Sequence, residues 1–306
     1  MMSIYPDIIF TGSRILEISD EDLGISFPVL VHYPTKTPSS PTLFGPYTMD
    51  VSVNALIAEG QFPLVLISHG NSGSHLIYRS ISIYLAQRGY IVAMPEHYGN
   101  NRRNNELANS IENLQYRPKH ISLTIDQLLS DSLLGRSVLP EKIGVIGHSF
   151  GGYTALALAG GIPWTRSGQQ VEIQPDSRVK AIVLMAPAAA YFYPEGSLTR
   201  VNLPILLLIA QHDEFTPKQW TSDIILKQVP DPSKVTLKTI ENAGHFSFSS
   251  PFPPAMKNPH FLPSTDPPGF DREEFHRQLP DEILNFLNRS LNPLPIEIKL
   301  EYYNPC

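Results

Sequence analysis

Cysteine is almost absent: the 306 residues hold one, Cys306, at the last position. That excludes a disulfide within the chain and a cysteine-built metal cluster. Positive charge is scarce too. The 23 Lys and Arg against 29 Asp and Glu leave a formal net charge of −6, which offers nucleic acid or an anionic membrane no electrostatic footprint. Arg102-Arg103 is the one tight basic pair and reads as solvated loop. No uninterrupted apolar run is long enough to span a bilayer. The start, Met1-Met2-Ser3-Ile4-Tyr5-Pro6-Asp7, lacks the basic-then-apolar order of a secretory leader. A cytoplasmic protein is expected, although a leader already removed would leave no trace. The chain has no Gly-x-Gly-x-x-Gly, no Walker A and no His-Glu-x-x-His. Glu96-His97 has no matching third ligand, so neither a metal nor a cofactor is expected.

Apolar residues, by contrast, are ample. Hydrophobic residues make up 42% and charged residues 17%, a globular balance, and the length suits one domain over 1–306. Short apolar runs alternate with helical patterns, which predicts βαβ units and a mostly parallel sheet with helices on both faces. Strands are expected at Ile25–Tyr33, Phe62–Ser68, Tyr90–Met94, Ile143–Ile146, Val179–Met185, Pro204–Ile209 and Val235–Ile240. Helices are expected at Ile77–Arg88, Ile121–Leu134 and Arg272–Leu291. Pro34–Pro46 reads as a Pro/Ser/Thr-rich loop. Two long stretches fit this alternation poorly: the polar, Asn-rich 96–119 and the Pro- and aromatic-rich 246–270. Long loops in a compact domain are usually functional or disordered, and these follow the carboxyl ends of strands, where open α/β sheets bind ligands. Both are expected to cover the site, with Pro34–Ala58 as a possible addition.

The most informative run is Ile143-Gly144-Val145-Ile146-Gly147-His148-Ser149-Phe150-Gly151-Gly152. An apolar strand leads into Gly-x-Ser-x-Gly and then into Tyr153-Thr154-Ala155-Leu156-Ala157-Leu158-Ala159, a helix former. A Ser on such a strand-to-helix turn presents its Oγ above the sheet edge. Phe150 then opens a helix, where its N–H is free to bind a developing oxyanion. A Ser hydroxyl needs a base in reach and the base needs an orienting acid. On sheets carrying this elbow the chain order is Ser, acid, His. Asp213 follows the strand Pro204–Ile209, with Glu214 and Glu195 as competitors and a helix-cap role as the bland alternative. His245 follows the last strand in Glu241-Asn242-Ala243-Gly244-His245. A second oxyanion donor is expected from Ser68-His69-Gly70-Asn71-Ser72-Gly73-Ser74: the Asn71 N–H, or Ser72 by register. Ser72, His148, Tyr191 and Phe246 are the candidate substrate-lining residues, although His148 and His69, at strand ends beside the Ser, also suit purely structural roles.

With these residues in view, the chain resembles the α/β-hydrolase superfamily over nearly its whole length. Within it the chain looks like the predicted dienelactone hydrolase and platelet-activating-factor acetylhydrolase-like group. The resemblance rests on Phe62-Pro-Leu-Val-Leu-Ile-Ser-His-Gly70, on Leu85-Ala-x-Arg-Gly-Tyr-Ile-Val-Ala-Met-Pro95 and on Ile143 to Leu156. It implies an α/β-hydrolase fold with loop insertions over the site, and a cofactor-free serine hydrolase of esters, often lipophilic. Two departures matter. Dienelactone hydrolases proper carry Cys in the elbow, where this chain has Ser149. The acetylhydrolases carry their acid after the strand that here ends at Met185, where this chain reads Met-Ala-Pro; Asp213 is the better acid.

The expected function is therefore hydrolysis of small-molecule carboxylic esters by Ser149, His245 and Asp213. Amide, peptide or thioester cleavage and acyl transfer use the same acyl-enzyme and remain open. A non-catalytic small-molecule binder is the third reading. Aromatics at Tyr191-Phe192-Tyr193, Phe246, Phe248, Phe252 and Phe261 predict a lipophilic or aromatic acyl pocket, unless they only pack the covering segments onto the body.

Overall fold

The computed structural model describes residues 9–291. Cys306 and the stretch 1–7 lie outside the described residues. The chain opens with two long antiparallel strands, β1 (Phe10–Asp20) and β2 (Ile25–Thr35). A hairpin of β3 (Ser40–Phe44) and β4 (Tyr47–Val53) follows. Then come β5 (Phe62–Ser68), α1 (Arg79–Ala86), β6 (Ile91–Pro95), α2 (Ile111–Ser130), β7 (Val138–His148) and α3 (Phe150–Leu158). The chain continues through β8 (Val179–Met185), β9 (Ile205–Ala210), α4 (Ser222–Gln228), β10 (Val235–Ile240) and α5 (Arg272–Leu291).

All ten strands join one sheet in the order β10-β9-β8-β7-β5-β6-β2-β1-β4-β3. From β10 to β6 every neighbouring pair is parallel; β2 is antiparallel to β6 and to β1. The period of two along each strand divides the core. Leu64 and Leu66 of β5 face α2 and α3, through Ile121, Ile125 and Leu156. Val65 and Ile67 face α1 and α5, through Ile81, Leu85, Ile283 and Leu287. A strand buried on both faces reads as a continuous apolar run, which is why β5, β8 and β9 are legible in the sequence, whereas the largely exposed edge strand β10 reads as an alternation of apolar and polar residues.

Three expectations are corrected. Pro34–Pro46 is not loop: β2 runs through to Thr35, and β3 occupies 40–44. β1 has no counterpart among the expected strands; its first positions, Thr11, Gly12 and Ser13, are buried on both faces without being large and apolar, which hides the alternation. α2 begins at Ile111 rather than Ile121, where the Ser110 side chain accepts from the Asn113 N–H at 3.1 Å. Pro118 lies inside this helix. Proline supplies no N–H to the carbonyl four residues back. Here that carbonyl, of Leu114, accepts from the Tyr153 hydroxyl at 3.0 Å instead. The last third or so of the polar stretch 96–119, from Ile111 on, is thus helix.

The stretch 246–270 carries 3₁₀ turns, among them Pro254–Met256 and Leu262–Ser264, and is clasped to the start of α5. Arg272 donates to Asp266 at 2.9 Å, to the Pro263 carbonyl at 2.7 Å and to the Thr265 carbonyl at 2.8 Å.

Candidate active site

β7 ends at His148 and α3 starts at Phe150, so Ser149 is the whole turn. Its φ of 55° and ψ of −116° are sparsely populated for a side-chain-bearing residue. The turn closes because Gly147 and Gly151 lack side chains. A Cβ on Gly147 would lie 2.1 Å from the Gly151 carbonyl oxygen, and one on Gly151 would lie 1.9 Å from that of Ser68.

The three candidate catalytic side chains meet above the sheet edge. His245 Nε2 is 2.9 Å from Ser149 Oγ. His245 Nδ1 is 2.8 Å from Asp213 Oδ2 and 3.1 Å from Oδ1. Asp213 sits in the turn after β9 and accepts from the Phe215 N–H at 2.9 Å and the Thr216 N–H at 2.8 Å. The Thr216 hydroxyl lies 2.8 Å from Oδ2. Burial pushes this carboxyl up, but the hydrogen bonds from His245 and Thr216 outweigh it and hold Asp213 below the usual aspartate range. An ionised acid therefore faces Nδ1, which makes Nδ1 the protonated nitrogen and leaves Nε2 as acceptor toward Ser149. The competing acids are elsewhere: Glu214 and Glu195 are exposed.

Among the described residues, neither the Phe150 nor the Asn71 N–H has an acceptor within the protein. Asn71 and Ser72 belong to a tight turn closed by the Gly73 N–H on the Gly70 carbonyl at 3.1 Å, with Ser72 at a φ of 51°. His69 braces that turn. Its Nδ1–H donates to the Gly70 carbonyl at 2.8 Å, and its Nε2 accepts from the His97 N–H at 3.1 Å.

His148 does not line the pocket. Its ring is 2% exposed, and both nitrogens are engaged from behind the triad. Burial lowers its pKa to about 3, so the ring is neutral. Nε2–H donates to the His245 carbonyl at 2.9 Å, which leaves Nδ1 to accept from the Tyr78 hydroxyl at 2.9 Å. His148 thereby holds the backbone of His245. Tyr191 and Phe246 do reach open space. Phe246 and Phe215 flank the His245 ring, each with its centroid 5.0 Å away.

Phe215 also lines a cavity of about 660 Å³ walled by Trp164, Tyr191, Tyr193 and Trp220, with Arg166 among its lining residues. A second, of about 340 Å³, shares Tyr191 and Arg166 and reaches Phe150. A third, of about 430 Å³, is lined by His245 itself with Phe215, Phe246, Leu262 and Pro267. Phe192, Phe248 and Phe252 are buried in the body, so only part of the expected aromatic lining is real. Trp164, Phe215 and Trp220 are lining residues that the sequence reading missed. They stand in irregular connections, after α3 and after β9, where no periodicity marks an inward side chain. Among the described residues, no group of three or more His, Cys, Asp or Glu is gathered to hold a metal ion, and no helix is long and apolar enough to cross a membrane.

The profile of the chlorophyllase family matches residues 39–191, half of the chain, including the elbow and the Asn71 turn. The chain belongs to the chlorophyllase family. Within the α/β-hydrolase superfamily it is similar to platelet-activating factor acetylhydrolase of Bos taurus, at 25% identity over 67% of this chain and 52% of that protein. It is also similar to chlorophyllase-1 of Citrus sinensis, at 28% identity over 41% of this chain and 36% of that protein. The matches thus span about half, or less, of these relatives' length. A ferulic acid esterase from Streptomyces cinnamoneus shares the fold, with a TM-score of 0.72 at 19% identity, over 99% of this chain and 95% of that one. Asp213 and His245 lie beyond the stretch that the family profile matches.

Proposed function

We propose that this member of the chlorophyllase family hydrolyses carboxylic esters through an acyl-enzyme. Ser149 Oγ attacks the acyl carbon while its proton passes to His245 Nε2. Asp213 holds the imidazole in the Nδ1–H tautomer and stabilises the imidazolium. The N–H groups of Phe150 and Asn71 bind the oxyanion. His245 then protonates the leaving alkoxide, and the alcohol departs. A water deprotonated by His245 opens the acyl-enzyme, releasing the acid and free Ser149.

The observation that carries this reading is the unbroken contact chain from Asp213 through His245 to Ser149, at 2.8 and 2.9 Å, on a strained elbow. Ester cleavage is favoured because similar proteins include an acetylhydrolase and an esterase. A lipophilic or aromatic substituent suits the aromatic cavity walled by Phe215, whose ring packs on His245. The segments 96–119 and 246–270 flank the opening as covers, in a single domain that acts on small molecules in the cytoplasm.

The test is intact-mass spectrometry after treatment with a fluorophosphonate, on wild type and Ser149→Ala, beside a p-nitrophenyl ester series. One adduct on the wild type and none on the variant is expected, with aromatic and longer acyl esters outpacing acetate. Near-full esterase activity in Ser149→Ala would end the mechanism. Acetate reacting as fast as longer esters would end the apolar-pocket reading.

A further inference from the structure

Among the described residues, the largest fully buried side chain is a cation, Arg117 of α2, with 0% exposure. All of its hydrogen-bond acceptors are neutral. Nη1 donates to Asn100 Oδ1 at 2.7 Å and Nε to Thr154 Oγ1 at 3.3 Å. Nη2 donates to the His69 carbonyl, with Ser68 Oγ at 3.4 Å. Among the described residues no carboxylate forms an ion pair with it. Its ionisable neighbours are tyrosines 78 and 153 and histidines 69, 97 and 120; burial and the guanidinium itself keep the three imidazoles neutral. Burial lowers the pKa of Arg117 to about 9, so it stays charged at neutral pH.

A buried charge without a counter-ion is costly and needs a reason. The position of this one is specific. It holds the His69 carbonyl directly, one residue before the Gly70-Asn71 turn. Through Asn100, whose Nδ2 donates to Asn71 Oδ1 at 2.8 Å and to Asn105 Oδ1 at 2.7 Å, it also holds the Asn71 side chain. Its Cζ lies 5.0 Å from the ring centroid of Phe150. The two residues whose N–H groups form the candidate oxyanion hole, Asn71 and Phe150, are therefore both in its immediate surroundings. They come from different loops, after β5 and after β7.

We propose that Arg117 is the positioning residue of the oxyanion hole: with Asn100 it fixes the Asn71 turn, and its uncompensated charge favours the negative oxygen that forms there. This rests on the acyl-enzyme reading above. In a low-dielectric interior a fixed cation acts on charge as it develops, without reorganising at the moment of reaction. The neutral ground-state ester gains little from it. The effect belongs in kcat and in the binding of tetrahedral anions, and not in KM.

The experiment uses Arg117→Met and Asn100→Asp in the full chain. Each is assayed for ester kcat and KM, for inhibition by a phenylboronic acid (a tetrahedral anion once bound to Ser149) and for thermal stability. Asn100→Asp separates charge from scaffold. It hands the guanidinium a carboxylate, which keeps the buried group satisfied while cancelling its field, and the exposed Asn71 and Asn105 amides can turn to donate to it. The expectation is a fall in kcat of about 10–100-fold in both variants, an equal loss of boronate affinity, KM within about twofold, and a Tm in Asn100→Asp close to wild type. The proposal is overturned if Asn100→Asp keeps wild-type kcat and boronate affinity, even where Arg117→Met is unstable or fails to fold. Wild type that forms no phosphonate adduct and hydrolyses no ester would instead refute the acyl-enzyme reading beneath it.

Discussion

A single methyl group at Gly147 would lie 2.1 Å from the Gly151 carbonyl oxygen. Backbone on both sides of Ser149 would have to separate to admit it, so Gly147→Ala is expected to cost several kcal/mol, about 3 or more. It should also lose the phosphonate reaction even where some fold survives. A variant that labels like wild type would show that the elbow tolerates a wider turn. Asp213→Asn is the complementary change, because it alters charge and leaves volume alone. The new amide can keep the Phe215 and Thr216 N–H bonds through its oxygen, but then turns its NH₂ toward His245 Nδ1 and favours the wrong tautomer. A fall in kcat of about 10³–10⁴-fold with an unchanged Tm is expected. A loss under tenfold would move the orienting role to another acid.

At the scale of elements, the elbow depends on its neighbour helix. Pro118 leaves the Leu114 carbonyl of α2 without its helical donor, and the hydroxyl of Tyr153 in α3 supplies the bond. The same tyrosine ring stacks on Phe150 at 5.0 Å. Tyr153→Phe should therefore cost about 1–2 kcal/mol, the penalty for stranding a buried carbonyl. In a Pro118→Ala background the helix donates its own N–H, and the cost of Tyr153→Phe should shrink. Equal costs in the two backgrounds, read by urea unfolding, would disprove the coupling. This bond is also why the start of α2 is hard to read from sequence. A proline within a polar, Asn-rich stretch signals a break, and the compensating donor comes from a residue 35 positions later.

For the molecule as a whole, buried histidine decides behaviour in acid. Burial holds His32, His120 and His148 at about 3 and His276 at about 4, and it keeps His69 and His97 well below the usual value. Below pH about 6.5 the unfolded chain protonates these six rings while the folded chain does not, so the unfolded state binds more protons and stability is lost as the pH falls. Each contributes about 1.4 kcal/mol per pH unit until its folded pKa is reached. The protein should lose several kcal/mol between about pH 7 and about pH 5.5. Urea midpoints that stay flat over that interval would mean that the rings are not buried and neutral.

Much of the site could be read before any fold was known. The glycines around Ser149 mark a turn, the apolar run before it marks a strand, and the search downstream reaches Asp213 after the continuous apolar run of β9 and His245 after the alternating β-branched pattern of β10. These are local facts, carried by neighbours in the chain. Other features are set by partners distant in sequence, and only the tertiary structure decides them. One face of β1 buries the polar Thr11 and Ser13, with the Thr11 hydroxyl directed at the Ile83 carbonyl of α1. The ring of His148 faces Tyr78 and the His245 carbonyl instead of substrate. Trp164, from the connection between α3 and β8, and Phe215 and Trp220, from the one between β9 and α4, converge to wall one cavity. Arg117 looks like any other charged residue of an amphipathic helix until α2 packs it beneath the Asn71 turn. Sequence determined the local chemistry at each position; packing decided which of those chemistries share a dry interior, because the dielectric and hydrogen-bond partners of a side chain come mostly from residues far from it in the chain.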